Sequence, residues 1–83
     1  MGAAHSTSLK SILAMIDICA PGYEHRPSTH SILFFWRKKS NRLQRGNKSE
    51  RDPEIEMGNV RHMIRMLEIP VDCAKSKIVG LGM

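Results

Sequence analysis

The sequence predicts an α+β domain of order α-β-β-β-α: a three-stranded antiparallel sheet with two helices packed on one face, then a short C-terminal helix. Two separate stretches repeat apolar residues at i, i+3, i+4 and i+7, namely Leu9, Ile12, Leu13, Ile16 and Val60, Met63, Ile64, Leu67. Each is one face of an amphipathic helix. Between them, the run Thr29-His30-Ser31-Ile32-Leu33-Phe34-Phe35-Trp36-Arg37 is rich in aromatic and branched residues and contains no glycine or proline, which is the composition of a strand. Neither helix can bury its apolar face alone, and packing both on one small sheet is the economical two-layer solution. A length of 83 residues has room for one such unit.

Along the chain, residues 1–6 are expected to form a flexible tail. A helix over 7–20 takes Ser6 or Thr7 as its cap and stops at Ala20-Pro21-Gly22. Residues 23–45 hold the sheet: a short strand at 23–26, a turn over Arg26-Pro27-Ser28-Thr29, the main strand at 29–37, a hairpin turn at Lys38-Lys39-Ser40-Asn41, and a third strand at 42–45. Alternation puts His30, Ile32, Phe34 and Trp36 on one face, and Thr29, Ser31, Leu33, Phe35 and Arg37 on the other. Residues 46–57 read as a polar loop. A helix over 58–69 is capped by Gly58 or Asn59 and ended by Pro70. A short helix over 71–79 takes Asp72 as its cap and turns Ala74 and Ile78 inward, and the glycine-containing end is expected to fray.

Composition narrows the function classes. The chain is 41% hydrophobic and 25% charged, with a net charge of +5, which is globular and suited to an anionic partner. Two cysteines, Cys19 and Cys73, predict no disulfide scaffold and a reducing, cytoplasmic location. No Cys/His cluster has zinc-ligand spacing, so no metal or other cofactor is implied. No apolar run approaches the roughly 20 residues of a membrane span, and the first residues carry no secretory pattern.

The charge is local. Arg37, Lys38, Lys39, Arg42, Arg45, Lys48 and Arg51 face only Glu50 within residues 37–51, so that stretch carries +6 and the remainder −1. A solvated hairpin kept from edge-to-edge pairing is the plain reading. A phosphate-binding ridge is the sharper one, favoured by the concentration of charge. Trp36 and Phe35 beside the ridge are candidates for base stacking, although core filling accounts for at least two of the three aromatics at 34–36.

Of four histidines, His5 lies in the tail, His25 in a short strand and His62 outside the apolar stripe of its helix. His30 opens the main strand, ahead of the basic segment. Histidine takes or gives a proton near neutral pH. Beside bound RNA it would deprotonate a ribose 2′-hydroxyl or protonate the leaving 5′-oxygen, while Arg or Lys stabilises charge at phosphorus.

The order of these segments resembles the HicA family of small toxins. The matching stretches are Ser28-Thr29-His30 at a strand start, Leu43-Gln44-Arg45-Gly46, and the run Gly58-Asn59-Val60-Arg61-His62-Met63-Ile64-Arg65-Met66-Leu67-Glu68-Ile69, spanning about residues 8–69 in all. The resemblance implies a double-stranded-RNA-binding-like fold, metal-independent cleavage of messenger RNA, and a partner antitoxin. It implies His30 as the catalytic residue, flanked by Ser28 and Thr29, with Arg42, Arg45 and Lys48 as phosphate contacts; Lys38 and Lys39 of the basic ridge join them as candidate RNA contacts. The chain departs from the family pattern at Ser28, where glycine is usual, and at Gln44, where proline is usual. The alternative is a non-catalytic module that binds double-stranded RNA or an acidic protein, including an inhibitor carried by a phage or mobile element. A helical DNA-binding domain with Asn59–Leu67 as its recognition helix is disfavoured by the strand-forming 29–36 segment.

Overall fold

The structure is a computed structural model, which describes residues 5–44 and 51–83. Its elements are β1 (Ser6–Ser8), α1 (Leu9–Cys19), β2 (Glu24–Pro27), β3 (Ser31–Trp36), β4 (Lys39–Gln44), β5 (Glu54–Glu56), α2 (Met57–Leu67) and α3 (Val71–Lys77). The predicted α+β class holds, with a three-stranded antiparallel sheet in the order β2-β3-β4. A second, two-stranded sheet was not foreseen: β1 pairs antiparallel with β5, Thr7 opposite Ile55. β5 falls in the expected loop, whereas β1 takes the last residue of the expected tail and the first two of the expected helix. The pairing is explained by Ile55, which is buried between exposed Glu54 and Glu56.

This ribbon sets where both long helices begin. α1 starts at Leu9, with the Ser8 hydroxyl accepting from the Ser11 amide at 3.2 Å. The Leu9 amide donates to the Pro53 carbonyl at 3.0 Å, and the Lys10 amide to the Asp52 carboxylate at 2.8 Å. Three of the amides that a helix start leaves unpaired are thus met, two of them by a segment more than 40 residues later. α2 begins at Met57, whose amide donates to the His5 carbonyl at 2.8 Å, so neither Gly58 nor Asn59 is its cap. It ends on Glu68, in the left-handed region at φ 54°, with the Ile69 amide donating back to the Ile64 carbonyl. The stop therefore comes two residues before Pro70.

The predicted helical faces are the buried ones. Leu9, Ile12, Met15 and Ile16 of α1 join Val60, Met63, Ile64 and Leu67 of α2 in one core, although Leu13 is only half-buried. Ile32, Phe34 and Trp36 of β3 and Leu43 of β4 supply the sheet's share. The Trp36 indole N–H donates to the Pro21 carbonyl at 3.0 Å, which satisfies the polar edge of a buried ring. α2 packs against β4 and α1 against α3.

Two expectations about the C-terminal third are corrected. The last residues do not fray: Ile78 and Leu81 are each 2% exposed, and the Arg61 guanidinium donates to the Leu81 carbonyl at 3.1 Å. Cys19 and Cys73 form a disulfide between α1 and α3, across 54 residues of sequence. Both helices turn their cysteines to the same seam, a proximity that linear spacing does not reveal. The cytoplasmic expectation rested partly on reduced thiols, and it loses that support. Among the described residues, no helix is long and apolar enough to cross a membrane.

The β3–β4 turn also sits differently from its prediction. Ile32 opposite Leu43 and Trp36 opposite Lys39 make Arg37-Lys38 the two-residue turn rather than 38–41. The register is decided by burying Ile32 and Leu43 together. Arg37 and Lys38 both have positive φ, 49° and 68°, as a type I′ turn demands. Side chains in that region cost about 1–2 kcal/mol per residue, and asparagine and glycine relieve most of it. The Arg37 guanidinium also lies 4.3 Å from the Trp36 ring centroid, a contact worth about 0.5–1 kcal/mol. Arg37→Asn with Lys38→Gly should therefore raise stability by about 1 kcal/mol net, seen as a higher urea midpoint with an unchanged m-value.

Candidate nucleic-acid interface

His30 lies at the tip of the β2–β3 hairpin, one residue ahead of β3 rather than within it. Pro27 opposite Ile32 closes the ladder, and residues 28–31 make the connection. The sequence alternation that would have put His30 with Ile32 at the core does not reach it. His30 and Thr29 are exposed.

The tip is braced by side-chain hydroxyls. The Ser28 amide and hydroxyl both donate to the Ser31 carbonyl, at 2.8 and 3.1 Å. Ser28 Oγ and Ser31 Oγ lie 2.9 Å apart. With the Ser28 proton already committed to the carbonyl, the Ser31 hydroxyl must donate to Ser28. Ser31 Oγ in turn accepts from the Arg42 guanidinium at 3.0 Å. Ser31 is 6% exposed, so this network satisfies a buried hydroxyl and orients Arg42 toward the hairpin tip. Ser28, which stands where the family has glycine, does not have positive φ, nor do Thr29 and His30. This tip does not require a glycine.

Pairing also defines the face of the sheet turned away from the core. Arg26, Leu33 and Arg42 form one row across its strands, and Glu24, Phe35 and Ser40 the next. Leu33 and Phe35 are half-buried, the arginines exposed. The Arg26 guanidinium lies over the Phe35 ring, 5.6 Å from its centroid.

The anticipated basic ridge is divided by this geometry. Arg42 stands near His30. Lys38 is at the opposite end of β3, about 17 Å along a six-residue strand at roughly 3.4 Å per residue. Lys39 is opposite Trp36 and therefore on the core side, where its ammonium pairs with Glu68 at 3.3 Å. Arg45 and Lys48 lie outside the described residues. Arg26 was missed by sequence reasoning because it precedes the charge cluster, and only strand pairing brings it level with Arg42.

Among the described residues, the other titratable groups form no competing centre. His25 stacks on Tyr23 at 5.6 Å and lies beside buried Phe34. Burial, reinforced by a hydrogen bond to and the charge of Asp17, pushes the Tyr23 phenol up from its ordinary value. Among the described residues, no three His, Cys, Asp or Glu side chains are grouped to hold a metal. Comparison with protein-family models, curated proteins and solved structures finds no match for this chain.

Proposed function

We propose that this chain is a HicA-like endoribonuclease toxin that uses His30 to cleave RNA by internal transesterification. The observation that carries this reading is an exposed histidine on a hairpin tip fixed by Ser28, Ser31 and Arg42. In the proposed step the ribose 2′-oxygen loses its proton and attacks the adjacent phosphorus. The bond from phosphorus to the 5′-oxygen breaks, and that oxygen takes up a proton. His30 handles one of these two transfers and water the other. Arg42, with guanidinium N–H groups beyond the one held by Ser31, stabilises the charge gathering on the phosphoryl oxygens. Lys38 serves as a more distant phosphate contact, Arg45 and Lys48 remain phosphate contacts on the sequence reading alone, and Lys39 does so only if it leaves Glu68. The same reading gives the chain a cytoplasmic site of action and an antitoxin protein as partner.

The chemistry predicts 2′,3′-cyclic phosphate and 5′-hydroxyl ends, formed in the presence of a chelator, and no cleavage of 2′-O-methylated RNA. Mapping the ends of an RNA incubated with the purified chain checks this. Products with 5′-phosphate ends would overturn it. Salt-sensitive binding with no cleavage would select the non-catalytic RNA-binding alternative.

A further inference from the structure

We infer that the open face of the three-stranded sheet is a single-stranded RNA track, with Phe35 as a base-stacking platform one row along from Arg26 and Arg42. The inference rests on the RNA reading above but not on His30 as catalyst. Phe34 and Phe35 are neighbours with opposite fates: Phe34 is fully buried, whereas Phe35 points away from the core and stays half-exposed. Its ring shares that face with Leu33, which sits between two arginines in its row. A sheet face that presents an aromatic ring with guanidinium groups in the neighbouring row has the chemistry of a single-strand binder. The ring offers a surface for any base, and the arginines meet phosphates.

The occupant is an unpaired strand rather than a duplex, because a base pair within a helix shows its edges and not its face. Arg26 already lies over the Phe35 ring. A change of rotamer in this exposed side chain would let a base enter and be covered from the other side. Glu24, opposite Phe35 on the same face, disfavours a phosphate there and leaves that position to a base. Arg42 links the track to the hairpin tip through Ser31. The strand would thus run along the sheet toward His30, with Phe35 holding a base some residues from the cut.

The test uses a short 2′-O-methyl oligonucleotide carrying 2-aminopurine, so that binding is read without cleavage. With the wild-type chain, 2-aminopurine fluorescence should be quenched by stacking and anisotropy should rise. Phe35→Ala should weaken binding about 5- to 150-fold, as for loss of one base–aromatic stack, and abolish the quench. Phe35→Trp should restore both. Arg26→Gln should lower the slope of log affinity against log salt by about 1. Circular dichroism confirms that each variant is folded. If Phe35→Ala binds and quenches like wild type, or if duplex RNA binds as tightly as single strand, the track is overturned. A contact face for a protein would then be the better account. Cleavage by the wild-type chain would survive that result, so failure of the track and failure of the ribonuclease reading are separable.

Discussion

His30→Ala should lower the rate of RNA cleavage about 10²–10⁴-fold, the range expected for loss of a general acid–base group. It should leave folding unaffected. His30 is exposed at a hairpin tip, and surface substitutions of that kind stay within about 0.5 kcal/mol. The bracing bonds run between Ser28, Ser31 and Arg42 without passing through its ring. The comparison is sharpened by His25→Ala and His62→Ala. His25 is occupied by Tyr23 and Phe34, and His62 is exposed on α2, another element. Single-turnover rates on one RNA substrate, with thermal melting of each variant, make the measurement. Equal rates for wild type and His30→Ala would remove this histidine from the mechanism.

Removing the crosslink with Cys19→Ala and Cys73→Ala should cost about 2–4 kcal/mol of stability. For a domain of this size that corresponds to a melting temperature lower by roughly 10–25 °C. The bond restrains a loop of more than 50 residues in the unfolded chain, and small domains have little apolar surface to spare. Treating the wild type with a thiol reductant should reproduce most of the shift and leave the alanine variant unmoved. The bond joins α1 to α3, neither of which carries the bracing network at the hairpin tip. Cleavage should therefore persist below the lowered midpoint. A reduced protein that melts with the oxidised one would show that the packing of α1 on α3 suffices without the bond. That outcome matters for the proposed site of action, since a reducing compartment keeps both thiols free.

What could be read from the sequence tracks the range of the interactions. The faces of α1 and α2 were legible because helical periodicity is written within one window of residues. β3 was legible because its run of aromatic and branched residues, free of glycine and proline, is the composition of a strand. The pairing of β1 with β5 was not, since three residues on each side carry no period and the partners are about 50 positions apart. The turn at Arg37-Lys38 was displaced because neither residue advertises a left-handed backbone, and the register is decided by Leu43 meeting Ile32. At the candidate site, His30 and Arg42 could be picked out in advance. Arg26, the role of Ser31 and the diversion of Lys39 to Glu68 could not, because each depends on which strand lies beside which.

The way α1 is completed has a consequence for the order of events during synthesis. Its first turn needs Asp52 and Pro53, and its last residue is tied to Cys73. α1 thus lacks these partners until residues 52–73 have been synthesised. The hairpins are local and can form sooner, but their buried side waits for α2. Acquisition of the fold is accordingly governed by contacts of long sequence separation, which slows it and makes it nearly all-or-none. A nascent or truncated chain ending before α2 would present the His30 hairpin without a core beneath it. The hairpin that carries His30 accordingly gains its support only after α2 has been made.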